Sequence, residues 1–153
     1  MRRKLSFLGI LLVIVVFNLM IIHKERALQS GRMVYLELAP VDPRSLMQGD
    51  YMRLRYKLAR DLSFPEEGNH LVYLTLKQSN VATKVSQAQT PGSIPIFVSY
   101  YDGKAVFATD SYFFQEGSRS VYSKARYGEL RVDSAGTAVL SGLADENLKP
   151  IKS

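Results

Sequence analysis

Three kinds of pattern follow one another along the chain. From Leu5 to Ile22 the segment LSFLGILLVIVVFNLMII runs for 18 residues without a charged side chain, close to the ~20 that cross a hydrocarbon core as a helix. Lys24 to Arg32 is a short polar connector. Beyond it, runs rich in β-branched and aromatic residues are separated by Pro, Gly and Asp, the punctuation of β strands and turns. The pattern predicts strands at Met33–Ala39, Tyr51–Leu58, Leu71–Lys77, Ile96–Tyr101, Lys104–Ala108, Glu129–Val132 and Ala138–Ser141. In Tyr101-Asp102-Gly103-Lys104, Asp-Gly between two apolar runs predicts a hairpin with a type I′ turn, which needs φ > 0 at both central residues. A second turn is expected at Asp133-Ser134-Ala135-Gly136. Val81–Ala88 fits either a strand, because Val81, Thr83 and Val85 alternate, or a short helix. Gln87–Ser93, with Thr90-Pro91-Gly92, reads as a loop. The expected fold is therefore mainly β, an antiparallel sandwich or open barrel preceded by one N-terminal transmembrane helix.

The 153 residues suit one domain and an anchor. Residues 1–23 are assigned to the anchor, 24–32 to the connector and 33–153 to the β-rich domain. A retained anchor is preferred to a cleaved signal peptide, whose apolar region is shorter and ends in small residues. Here Ile22 is followed by His23-Lys24-Glu25-Arg26. Basic residues flanking a span favour the cytoplasmic side, and Arg2-Arg3-Lys4 sits on a very short tail, against Lys24, Arg26 and Arg32 after the span. This asymmetry predicts a cytoplasmic N-terminus in a bacterial inner membrane and a periplasmic domain. Asn18 is the strongly polar residue of the span. It is either solvated near the outer interface, the preferred reading, or bonded to a partner helix.

Charge and residue inventory then narrow the chemistry. The formal net charge is +6, but three of those charges precede the span, leaving a weak field for nucleic-acid binding. The absence of Cys removes disulfides and thiolate ligands. The two histidines, His23 and His70, are too far apart in sequence context to suggest a zinc site. No Gly-rich phosphate loop occurs, and no cofactor or metal is expected.

The segment from Ala39 to Tyr56 is the most informative. Its two prolines, Pro40 and Pro43, extend the residues before them, and Gly49-Asp50 then turns the chain into a strand. With a period of two, Met52, Leu54 and Tyr56 share one face, and Tyr51, Arg53 and Arg55 the other. The first is expected to be core. The second is a basic stripe beside Tyr51, either solvated, as preferred, or set against an acidic partner. Gly49 suits a turn geometry closed to other residues, Asp50 can cap that turn, and Asp42 is a candidate partner for Arg44 or Arg53.

Gly49-Asp50-Tyr51, Leu54 and Tyr56 match every fixed position of the GDYXXLXY motif, and the chain resembles the bacterial membrane-anchored family named after it. The resemblance extends upstream through Asp42-Pro43-Arg44 and downstream to Tyr112–Gly117 and Ala125–Glu129. It implies no activity. It does imply company with polytopic membrane proteins. The expected role is thus a non-catalytic accessory or assembly subunit of a membrane protein complex. Tyr51, Arg53, Arg55, Tyr112, Phe113 and Phe114 are the candidate partner surface, because three consecutive aromatics cannot all face one core.

The alternative is a membrane-tethered Ser/Lys hydrolase resembling signal peptidases. Ser45 would be its nucleophile, activated by Lys84 or Lys77, an amine that must be buried to lose its proton. Against it, Ser45-Leu46-Met47 departs from the order those enzymes use, and the Ser-to-Gly spacing differs.

Overall fold

The computed structural model describes residues 10–22, 31–39, 47–48 and 51–152, the side chains of residues 47, 48 and 119 excepted. Residues 10–22 form a helix, α1, whose residues are all exposed. Leu, Ile and Val dominate it, so its surface is apolar on every side, a pattern that water alone does not favour. Asn18 donates from Nδ2 to the Ile14 carbonyl one turn back at 2.8 Å. One of its donors is thereby satisfied within the helix, a third possibility beside solvent and a partner helix.

Among the described residues the strands are β1 (Arg32–Glu37), β2 (Met47–Gln48), β3 (Tyr51–Arg53), β4 (Gly68–Leu76), β5 (Ala82–Ser86), β6 (Ile94–Tyr101), β7 (Lys104–Phe107), β8 (Ser111–Phe113), β9 (Tyr127–Val132) and β10 (Ala138–Ala144). A 3₁₀ turn occupies Lys57–Ala59 and a one-turn helix, α2, Arg119–Tyr122. The strands pair antiparallel in sheets ordered β1-β9-β10, β2-β3-β8 and β5-β4-β6-β7. Single bridges stitch the sheets together: Tyr35 to Val81, parallel, and Leu38 to Tyr56, antiparallel. Phe97 N–H also donates to the Gly136 carbonyl at 2.8 Å, so the β9–β10 turn covers the stretch of β6 that β7 does not reach. The sheet surface curls as a half-barrel.

Period-two burial fills that curve from every side. Val34 and Leu36 of β1, Val72 and Leu74 of β4, Ile96 and Val98 of β6, and Leu130 of β9 are fully buried. Each such side chain contributes about 1.5–3 kcal/mol over an exposed one. Phe107 closes the core against Tyr56, ring edge to face, with centroids 5.8 Å apart.

Most expected strands are present, with three instructive differences. The strand expected over Tyr51–Leu58 pairs as β3 only to Arg53. Leu54 N–H then turns to the Asp110 carbonyl (2.7 Å), and the Arg55 carbonyl accepts Ala39 N–H (2.6 Å). The chain stays extended while exchanging β8 for β1 as its partner, so alternation persists where the ladder does not. The last strand runs past Ser141 to Ala144. Ser141 is the extra residue of a bulge between Leu140 and Gly142, which breaks the alternation on which the sequence reading depends. Strand β4 starts at Gly68, earlier than its apolar run, because Gly68-Asn69-His70 pair with Tyr100, Ser99 and Val98. Within Val81–Ala88 the residues Ala82–Ser86 resolve as strand, and Asp102 and Gly103 have φ of 50° and 67°, as the type I′ turn requires. At the second turn, Asp133 Oδ1 accepts Ala135 N–H (2.9 Å) and Thr137 N–H (2.8 Å).

Candidate functional site

The motif strand sorts its side chains as its alternation predicts. Met52, Leu54 and Tyr56 are buried, Arg53 and Arg55 are exposed, and Tyr51 is half-buried. Gly49 and Asp50, together with Asp42, Pro43, Arg44 and Ser45, lie outside the described residues.

Across the ladder Tyr51 stands opposite Phe113, and Arg53 opposite Ser111. The Tyr51 and Phe113 rings lie 5.6 Å apart, and Phe113 is 74 % exposed. Among the described large hydrophobic side chains Phe113 is the most exposed, and two guanidinium groups continue the same face.

Tyr112 and Phe114 point the other way. Both pack on the core and meet the Tyr122 ring, at 5.3 Å and 5.1 Å. Burial pushes the Tyr112 hydroxyl up to about 12, helped by its hydrogen bond to Tyr122. These two aromatics therefore leave the candidate partner surface. The expected uncovered side of the Tyr112–Phe114 segment is covered by α2, which the sequence reading did not include.

Beside the motif strand a cleft of about 460 Å³ opens between that strand, the end of the 3₁₀ turn with the residues after it, and the β6–β7 hairpin. Its walls carry Arg53, Arg55, Arg60 and Lys104 against one carboxylate, Asp110. Among the described residues Arg53, Arg55 and Arg60 enter no ion pair, whereas Lys104 pairs with Asp102 at 3.1 Å. The floor is apolar, built from Leu54, Ala59, Leu62, Ala105 and Val106.

Tyr56, the last residue of the motif, also lines this cleft. Its hydroxyl is buried and has no hydrogen-bond partner. Burial, and secondarily the Asp110 carboxylate, push that hydroxyl far above the usual tyrosine range. It therefore stays protonated. Asp110 arrives through a tight turn: Thr109 N–H donates to the Phe107 carbonyl at 2.6 Å, with Ala108 at φ 56°, a γ-turn that a non-glycine residue adopts only under strain.

Arg60, Lys104, Tyr101 and Asp110 were not singled out by the sequence. They come from separate segments, and no spacing rule joins them. The arginines had a signal, since Arg53, Arg55 and Arg60 cluster within one stretch.

The Ser/Lys arrangement gains nothing from the fold. Lys77 and Lys84 are both exposed, without the burial an activating amine needs, and neither lines the cleft. His70 stacks on Phe64 at 4.0 Å and its Nε2 lies 2.9 Å from the Glu66 carbonyl, a packing role. Among the described residues no group of three or more His, Cys, Asp or Glu is placed to hold a metal, and no helix is long and apolar enough to cross a membrane.

A mainly antiparallel β domain whose motif strand carries both an open aromatic pair and one wall of a basic cleft defines the class. The chain belongs to the GDYXXLXY protein family, whose model matches residues 13–143. No curated protein matches the chain, and no solved structure does.

Proposed function

We propose that this protein is a single-pass inner-membrane protein whose periplasmic β domain serves as a non-catalytic accessory or assembly subunit for a polytopic membrane partner. The observation that carries this reading is Phe113, 74 % exposed and tilted against the Tyr51 ring, with Arg53 and Arg55 continuing the same face. Aromatic residues and arginine are the side chains that concentrate binding energy at protein interfaces. The apolar run Leu5–Ile22 and the basic tail before it support the anchor and its orientation.

The test is affinity purification of the tagged full-length chain from its native membranes in mild detergent, with mass spectrometry of the co-purifying proteins. One stoichiometric polytopic protein is expected, and Phe113→Asp should release it while the variant accumulates normally. A wild-type chain that purifies alone sinks the reading. Topology is tested separately by a single Cys added at the C-terminus, since the chain has none of its own. A membrane-impermeant maleimide should label it in intact spheroplasts; labelling only after lysis reverses the orientation.

A further inference from the structure

We propose that the basic cleft beside the motif strand binds a phosphate ester, with Arg53, Arg55 and Arg60 holding the phosphate. This goes beyond the accessory role and requires no protein partner.

Charge and shape converge on this. Lys104 is paired with Asp102, but Arg53, Arg55 and Arg60 face one carboxylate, Asp110, across the cleft, and among the described residues these three guanidinium groups have no ion-pair partner. Guanidinium forks match phosphate oxygens two at a time. A volume of about 460 Å³ falls within the 300–1,000 Å³ typical of small-ligand sites. Asp110 lines the same cleft and offers an acceptor for a hydroxyl of the ester's carrier, while the apolar floor and the half-open ring of Tyr101 accommodate carbon. A simple carboxylate would match the charge less well, because it carries one negative charge where a phosphate monoester carries nearly two.

The test uses the full-length chain in nonionic detergent micelles, titrated calorimetrically with sn-glycerol 3-phosphate, with inorganic phosphate and acetate as competitors. A second titration uses the same micelles doped with phosphatidic acid, whose headgroup is a phosphate monoester. Saturable binding is expected, displaced by phosphate and not by acetate. The soluble ester binding as well as the lipid identifies a free phosphate ester; binding to phosphatidic acid alone identifies a lipid headgroup. The combined variant Arg53→Gln, Arg55→Gln, Arg60→Gln changes only exposed side chains and should keep the wild-type Tm while weakening binding at least about 10-fold. Failure of both probes to saturate, acetate displacing as well as phosphate, or unaltered binding in the triple variant overturns the proposal.

Discussion

Tyr56 combines a ring that the core needs with a hydroxyl that costs stability. Its ring is needed: it packs edge-on against Phe107 and lies against the Gly128 backbone, where an added Cβ would sit 3.0 Å from its Cε1. Its hydroxyl is a liability, buried and unpaired. Two opposite outcomes follow at this one contact. Tyr56→Phe keeps the ring and removes the orphan, so the unliganded protein should gain about 1 kcal/mol of stability, read as a higher urea midpoint. Gly128→Ala drives a methyl group into a ring that has nowhere to move and should cost about 1–3 kcal/mol by the same measurement. The burial of Tyr56, Leu54 and Met52 was legible in the alternation of the motif strand. The missing partner of the hydroxyl was not, because hydrogen-bond satisfaction depends on atoms brought from Asp110 and the core, remote in sequence.

At the scale of elements, β8 shows how one strand serves two surfaces. Successive side chains alternate, so Tyr112 and Phe114 meet Tyr122 while Phe113 faces outward. Tyr122→Ala, at a residue only 5 % exposed, should cost about 3–5 kcal/mol. Phe113→Ala should cost less than about 1 kcal/mol, the loss of its pairing with Tyr51 alone. Equal losses in a chemical-denaturation comparison would mean that Phe113 is structural and would remove it from the partner surface. The run of three aromatics announced that one side needed covering. That α2 provides the cover was hidden, because a single helical turn at Arg119–Tyr122 is too short to produce a periodic signal. The β6–β7 hairpin is the contrasting case: Asp102-Gly103 dictates its turn locally, and the turn in turn carries Lys104 and Tyr101 to the cleft.

For the whole molecule, the ionisation of its tyrosines ties stability to alkaline pH. Tyr56 and Tyr112 both titrate above the ordinary tyrosine value of 10, Tyr56 mainly through burial and Tyr112, up to about 12, mainly through burial with its bond to Tyr122. Between pH 10 and about 12 the unfolded chain loses protons that the folded chain keeps, so the stability these groups provide is whole below pH 10 and declines as pH rises through that window. The urea midpoint should therefore hold from pH 8 to 10 and fall toward pH 12, with a shallower fall in Tyr56→Phe. A slope identical in that variant would exclude Tyr56 as a source.

The sequence by itself determined what depends on neighbours along the chain: an apolar run, the two faces of the motif strand, an Asp-Gly turn, and β strands wherever alternation is unbroken. These follow because side-chain direction repeats every two residues and turn geometry is set by two. Tertiary structure decided what depends on residues far apart: the exchange of β8 for β1 along the motif strand, the bulge at Ser141, the covering of Tyr112 and Phe114, and the gathering of Arg53, Arg60, Lys104 and Asp110 around one cleft. Such arrangements arise from the curl of the sheets and the competition among backbone partners, and neither is encoded in any local pattern.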